Sequence, residues 1–301
     1  MALGGAAMAA TCVPLGMPLD DRIVAMLRLV EVQIGGTFGV AFYDPASGHT
    51  VGHNAHRTFG MASTFKTSLA AMVLVAGQEG ALDIEETVRW TESDLVPHRP
   101  FTEGRLARGA TWHELAWAVQ TLSDNTAANL LLARLGGPAA VTRFWRRIGD
   151  EVSRLDRMEP ELNRVALDDP RDRTTPLAMA RTLERLLFSN RVGPLSRGNQ
   201  AMLRRWMTET ITGAMRVRAG LPSGWRSGDK TGNSGTSPGT PFHRGDIGYV
   251  ARQDGLPVLF AAYHRSPLNA PVSGSKVDNG FVEIGCLLTE WIDLRSGVES
   301  H

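Results

Sequence analysis

Segments with strand character lie near both ends of the chain, and a long block of helical character separates them. β-Branched and aromatic residues between turn signals predict five strands, which cover residues 37–42, 49–53, 227–232, 247–251 and 258–264. Apolar residues at helical spacing predict a first helix over residues 19–33 and a last helix over 281–294, and the chain is mainly helical from 64 to 207. Strands at both ends can pair in one sheet only if the helical block folds beside it.

We therefore predict an α/β (α+β) fold with an antiparallel five-stranded sheet, flanked by the two terminal helices, and an all-α lobe. Residues 19–296 are expected to form a single domain. Its α/β lobe would comprise about 19–61 and 208–296, and its all-α lobe about 62–207. Ligand sites favour such interfaces, so the crossings between the lobes are where functional residues are expected.

Composition excludes several classes of function. The chain has 301 residues, of which 43% are hydrophobic and 21% charged, and its formal net charge is +1. This balance gives no bulk attraction to nucleic acid or to an anionic membrane, and no apolar run is long enough to span a bilayer. The two cysteines, Cys12 and Cys286, make no disulfide framework, and Cys286 is expected to pack as a small hydrophobic residue. We expect a monomer without nucleic-acid partners.

Residues 1–18 differ from the rest because they are small, apolar and uncharged. They look like the back half of a secretory leader that lacks its basic start, and a disordered Ala/Gly tail is the alternative. The leader interpretation predicts a periplasmic or secreted protein.

Three short motifs follow one another along the chain, and the first is Ser63-Thr64-Phe65-Lys66. It begins a predicted helix, so Ser63 and Lys66 share a face and Ser63 lies near free N–H groups. A serine that attacks an acyl group needs such donors for the oxyanion, and a neutral Lys66 can take its proton. The pattern is weak alone, because it recurs at Ser273-Gly274-Ser275-Lys276, where we expect a loop.

The second motif is Ser123-Asp124-Asn125, which precedes a helix and also reads as an ordinary N-cap. The Ser123 hydroxyl can both donate and accept, so it can relay a proton to a leaving amine. Asn125 can present its amide to a substrate or to Lys66, and Asp124 is expected to hold the loop.

The third motif is Lys230-Thr231-Gly232, on a predicted strand. Lys230 can attract a substrate carboxylate and Thr231 can hydrogen-bond it, while Gly232 lets a ligand approach the backbone closely. The N–H of Asn233 would pair with that of Ser63 as an oxyanion hole. All three motifs in this order should arise by chance in about one chain in a thousand or fewer.

With these motifs, the chain resembles class A serine β-lactamases from about residue 19 to 294. The Arg157-Met158-Glu159-Pro160-Glu161-Leu162-Asn163 segment resembles that family's Ω-shaped loop, as does Arg171-Asp172-Arg173-Thr174-Thr175-Pro176 at its end. The resemblance implies that Glu159 is the general base, that Asn163 helps to hold the hydrolytic water, and that Arg157 pairs with Asp172. Without it, Glu159 would be interpreted as a solvated loop carboxylate.

The same resemblance implies further substrate contacts. His98 takes the place of the family's aromatic gate. Arg216 and Arg244 match the two places where the family has a carboxylate-binding arginine, and we favour Arg216, which we expect Asp278 to brace. The long turn over residues 235–243 leaves the choice among penicillins, cephalosporins and carbapenems open.

No metal site or cofactor is expected, since the His49, His53 and His56 cluster lacks a carboxylate or cysteine to complete it. The expected activity is hydrolysis of small-molecule β-lactams through a Ser63 acyl-enzyme. Two alternatives stay open: a penicillin-binding DD-peptidase, which shares the first three motifs, and a receptor or scavenger that is acylated without turnover. The Glu159 segment disfavours both.

Overall fold

The computed structural model describes residues 16–189, 193–235, 237–253 and 255–298. Its α-helices are α1 (Leu19–Ile34), α2 (Lys66–Gln78), α3 (Trp112–Thr121), α4 (Asn125–Leu135), α5 (Pro138–Arg147), α6 (Pro176–Leu187), α7 (Arg197–Thr208) and α8 (Gly274–Val298). Its strands are β1 (Thr37–Tyr43), β2 (Thr50–His53), β3 (Phe59–Gly60), β4 (Thr87–Val88), β5 (Ala110–Thr111), β6 (Arg173–Thr174), β7 (Arg226–Asn233), β8 (His243–Ala251) and β9 (Val258–Arg265).

The main sheet has five antiparallel strands in the order β2-β1-β9-β8-β7, so its strands come from both ends of the chain. This confirms the predicted fold. Strand β8 begins at His243, four residues before the predicted start at Ile247. Its first residues are polar and show no strand pattern. They are in strand conformation because β8 pairs with both β7 and β9, so the backbone N–H and carbonyl groups have hydrogen-bond partners.

Both faces of the sheet are covered. Helices α1 and α8 pack on one face around apolar side chains such as Phe38, Phe281 and Trp291. Helix α6 packs against β1 and β9 on the other face, where the core of the helical lobe begins. Phe38 to Phe42 are therefore buried without interruption, as expected for a strand enclosed on both sides.

Two smaller expectations were wrong. The Ser273–Lys276 segment is not a loop, since α8 begins at Gly274 and the Val277 N–H donates to the Ser273 carbonyl at 3.1 Å. Cys286 is exposed on α8 rather than packed as a small hydrophobic residue. In each case the residue type was a poor guide, because the position on the long helix α8 decides the conformation and the exposure of the residue. Composition alone cannot say which face of that helix is covered.

Residues 1–15 of the predicted leader lie outside the described residues. Among the helices that the structure describes, none combines the length and the apolar character needed to cross a bilayer.

Candidate active site

Ser63 lies in a 3₁₀ turn, Ala62–Phe65, which leads directly into α2. The turn contacts β7 at Gly232, where an added Cβ would lie 2.8 Å from the Met61 carbonyl oxygen. The approach of a ligand to Gly232 stays a prediction, and the close neighbour that the structure shows is the turn that carries the serine. A side chain there would push Ser63 away from the strand.

Lys66 is completely buried below Ser63. Its Nζ donates to the Ser123 carbonyl at 2.9 Å and to Asn125 Oδ1 at 2.5 Å, and it lies 3.0 Å from Glu159 Oε1. Burial lowers the pKa of Lys66, while the Glu159 charge opposes that shift. A lysine with a lowered pKa loses its proton more readily and can then act as a base.

Glu159 is also buried, with only 2% of its surface exposed, and Ser63 Oγ donates to its Oε1 at 3.4 Å. Asn163 Nδ2 donates to the other carboxylate oxygen at 2.6 Å. Thus the residue that sequence alone would leave in solvent lies within reach of the predicted nucleophile.

Asn129 holds the Glu159 backbone, a role that we did not predict. Its Nδ2 donates to the Glu159 carbonyl and its Oδ1 accepts the Glu159 N–H, both at 2.9 Å. Asn129 follows Asn125 by four residues on α4, so the two share a helix face. That spacing was the available sequence signal.

We call residues 157–172 the Glu159 loop. Arg157 Nε and Asp172 Oδ2 are 2.5 Å apart at its base. The other Asp172 oxygen accepts the N–H groups of Asp156 and Arg157 at 2.8 and 3.1 Å. Burial raises the pKa of the Asp172 carboxyl, although these hydrogen bonds and the Arg157 charge act against it. The predicted pair is thus present in the structure and closes the loop.

Ser123 lies between two lysines. Its carbonyl accepts from Lys66, and its Oγ accepts from Lys230 Nζ at 2.9 Å. Ser123 has a positive φ of 60°, and Asp124 supports this backbone by accepting the N–H groups of Phe101 and Thr102, both at 2.9 Å. Burial, followed by the Lys66 charge, lowers the pKa of Lys230 well below its ordinary value.

The remaining predicted contacts surround a cleft of about 580 Å³. Its lining residues are Ser63, Pro97, His98, Ser123, Asn125, Pro160, Asn163, Thr212, Arg216, Thr231, Asn233, Ser234 and Gly235. Thr231 Oγ1 donates to Thr212 Oγ1 at 2.6 Å. His98 is exposed, and its carbonyl accepts the Asn125 N–H at 2.9 Å. Lys66, Glu159, Lys230 and Gly232 contact this lining from within the protein.

Both predicted arginines bind Asp278. Arg216 Nε donates to Asp278 Oδ1 at 3.0 Å, and its Nη1 donates to the Gly232 and Gly245 carbonyls. Arg244 also donates to Asp278 Oδ1 and stacks over the Phe242 ring at 5.1 Å. Of the two, Arg216 belongs to the described lining of the cleft and Arg244 does not.

Within the described parts of the chain, no group of three or more histidine, cysteine, aspartate or glutamate side chains is arranged to hold a metal ion. The contacts of the site bring together a serine, two lysines and a carboxylate.

The chain is similar to known proteins of one family. The model of the beta-lactamase enzyme family matches residues 19–291. Beta-lactamase L2 of Stenotrophomonas maltophilia is 43% identical over 220 residues, which cover 72% of each chain. An ancestral (GNCA) class A beta-lactamase structure has a TM-score of 0.83 and 42% identity, covering 89% of this chain and 99% of its own. The structure of a putative class A beta-lactamase PenP from Rhodopseudomonas palustris has a TM-score of 0.82 and 38% identity, with 89% and 98% covered.

Proposed function

The chain belongs to the class A β-lactamase family and is a serine β-lactamase, and from that premise we propose how its residues divide the reaction between an acylation and a deacylation step. Its activity is hydrolysis of the β-lactam amide. The contacts around Ser63 support the assignment of its neighbours to acylation or to deacylation.

In acylation, Ser63 Oγ attacks the carbonyl carbon of the lactam and loses its proton. Two groups can take that proton: Glu159, whose Oε1 is 3.4 Å from Ser63 Oγ, and Lys66, which is 3.0 Å from the same carboxylate oxygen. The N–H groups of Ser63 and Asn233 are the proposed oxyanion donors. As the ring C–N bond breaks, Ser123 delivers a proton to the nitrogen, with Lys230 2.9 Å from its hydroxyl.

In deacylation, Glu159 removes a proton from the water that attacks the ester carbonyl. Asn163 orients this water: its Nδ2 is bound to Glu159 at 2.6 Å, while its Oδ1 is buried without a partner in the described structure. A buried acceptor of this kind is costly unless it gains a donor, which a water molecule provides. The ester bond between the carbonyl carbon and Ser63 Oγ then breaks, Ser63 Oγ takes up the proton that Glu159 removed from the water, and the ring-opened acid is released.

Substrate binding uses other lining residues together with Lys230, which contacts the lining through Ser123. Lys230, Thr231 and Arg216 receive the substrate carboxylate, since cationic and hydroxyl donors suit that group. Asn125 binds the acylamino side chain, and His98 borders the mouth of the cleft. These assignments apply to penicillins and cephalosporins alike.

The observation that carries the proposal is a buried Glu159 next to Ser63, fixed by Asn129 on its backbone and Asn163 on its side chain. A DD-peptidase or a receptor that is acylated once needs the nucleophile, but not a fixed base for releasing a β-lactam ester. No observation favours either alternative.

Steady-state hydrolysis of nitrocefin tests the proposal. We expect many turnovers per enzyme, and none for Ser63→Ala, which lacks the nucleophile. A single stoichiometric burst in the unmodified enzyme would contradict the hydrolytic proposal and favour the receptor.

Class A β-lactamases are typically secreted or periplasmic, and we propose the same for this chain, with residues 1–18 as part of a leader and residues 19–296 as one monomeric domain. Activity retained in the cytoplasmic fraction of the native host would contradict the location. Light scattering after gel filtration measures the oligomeric state.

A further inference from the structure

Four consecutive carbonyls of the Glu159 loop, at residues 164–167, each accept a hydrogen bond from a side chain. The contacts are, in chain order, Arg157 Nη1 to the Arg164 oxygen at 3.0 Å, His243 Nε2 to the Val165 oxygen at 3.3 Å, and Arg173 Nη2 to the Ala166 oxygen and to the Leu167 oxygen at 2.7 Å. Arg157 is part of the closing pair, whereas Arg173 and His243 come from two strands that follow the loop. We call these two residues the strand clasp.

The strand clasp joins the loop to the segment that leads to the nucleophile. Arg173, on β6, is the cross-strand partner of Gly60, on β3, three residues before Ser63. The His243 ring lies against the same glycine, since an added Cβ at Gly60 would be 3.1 Å from the imidazole. The His243 ring can lie this close because residue 60 is a glycine. A side chain at position 60 would meet the ring.

Both clasp residues are buried, with 7% of Arg173 and 1% of His243 exposed. Burial lowers the pKa of His243 to about 3, so its ring is neutral at ordinary pH and donates through Nε2. Val165, whose carbonyl it binds, is also only 1% exposed. A buried carbonyl that loses its donor is costly, so the contact resists displacement of the loop.

The clasped carbonyls directly follow the 3₁₀ turn Glu161–Asn163. The Arg164 N–H closes that turn on the Glu161 carbonyl at 3.0 Å, and Asn163 in turn holds the Glu159 carboxylate. A shift of residues 164–165 would therefore move Asn163 relative to Glu159. Reactive groups need positions held within about 0.5 Å.

We propose that Arg173 and His243 are positioning residues for deacylation: by holding the carbonyls of residues 165–167, they keep Asn163 and Glu159 aligned on the hydrolytic water. This inference rests on the proposed function of Glu159. It adds a second constraint on the loop, separate from the Arg157–Asp172 pair at its base.

The test separates acylation from deacylation by stopped-flow and intact-mass measurements with benzylpenicillin. Arg173→Thr and His243→Leu remove the donors, whereas Arg173→Lys and His243→Gln keep one. Arg197→Thr and His56→Leu are matched controls, because Arg197 and His56 are exposed and lie in other parts of the chain.

We expect the donor-removing variants to lose about tenfold or more in the deacylation rate constant, since a small misplacement of a catalytic group is costly. Their acylation rate constant should change less than about threefold, and the acyl adduct should accumulate. Arg173→Lys and His243→Gln should recover part of the loss, and the controls should behave as the unmodified enzyme. Equal loss in both steps, or no loss in deacylation, would overturn the proposal.

Hydrogen exchange of peptides covering residues 158–169 provides a measurement that does not depend on catalysis. The unmodified loop should exchange slowly, and the donor-removing variants faster; an unprotected loop in the unmodified enzyme would overturn the clasp even if the variants fail to fold. If the unmodified enzyme forms no acyl adduct at all, the proposed function fails, while the exchange experiment still decides whether the clasp holds the loop.

Discussion

Replacing Glu159 by glutamine separates the two steps of the reaction most sharply. The substitution keeps the size of the side chain and removes its charge and its capacity to accept a proton. The loop should keep its place, because Asn129 binds the N–H and carbonyl of residue 159 rather than its carboxylate.

Acylation should survive the change through Lys66. In the unmodified enzyme the Glu159 charge acts to raise the pKa of Lys66, against the larger effect of burial. Without that charge the pKa of Lys66 should fall further, and a larger fraction of Lys66 is then neutral and able to accept the Ser63 proton. Removing one candidate base thereby favours the other.

Deacylation has no such substitute. General-base catalysis contributes about 10²–10⁴-fold, equivalent to about 2.7–5.4 kcal/mol of barrier. We therefore expect release of a penicillin to slow by about that factor, while an adduct accumulates on Ser63.

The assay is intact-mass spectrometry at intervals after mixing with benzylpenicillin, combined with the pre-steady-state burst of nitrocefin. Glu161→Gln is the control, since Glu161 is exposed on the same loop two residues away. Turnover at the unmodified rate without a trapped adduct would refute Glu159 as the base. An acylation rate that falls as far as deacylation would refute the compensation by Lys66.

Three other predictions concern separate parts of the site. Ser63→Ala should abolish covalent labelling by penicillin, and undiminished labelling elsewhere by mass spectrometry would contradict the nucleophile. Arg216→Ala should raise KM for penicillins more than it lowers kcat, because a carboxylate contact binds ground and transition states alike; the same effect from Arg244→Ala alone would reverse their ranking. Asp172→Asn loses a charge-assisted contact worth about 1.5–3 kcal/mol, and this loss is partly offset because a buried charge is removed. We therefore expect a melting temperature lower by about 2–6 °C and slower penicillin turnover. No change in either quantity would contradict the role of the pair.

Much of the fold could be predicted because its signals are local. The spacing of apolar residues locates α1, and runs of β-branched and aromatic residues locate the strands near the two ends of the chain. Because the helical block lies between these strands in sequence, they can be expected to pair in one sheet. The start of β8 could not be predicted, since Arg244, Gly245 and Asp246 have no strand pattern. Their conformation depends on hydrogen bonds to β7 and β9, which are distant in sequence.

The site divides in the same way. Residues inside a recognisable motif, such as Ser63 and Lys230, could be identified from order and spacing. Those that act by contact across the fold could not: Asn129 looks like any polar helix residue until the Glu159 backbone lies against it. Arg173 lies in a segment that resembles the family's loop, but neither its role nor that of His243 could be predicted, because each depends on a carbonyl of another segment.

The Ser-Asp-Asn motif must be contiguous because one turn of backbone serves both buried lysines. The carbonyl of Ser123 binds Lys66 and its hydroxyl binds Lys230, and Ser123 makes both contacts with a positive φ. A non-glycine residue in that conformation costs of order 1–3 kcal/mol, and the bonds from Phe101 and Thr102 to the Asp124 carboxylate hold it there. Moving the serine by one residue would take its hydroxyl away from Lys230 Nζ, which would keep the Thr231 carbonyl as its acceptor in the described structure. A buried amine that loses an acceptor is costly, so the position of the serine within the motif is constrained.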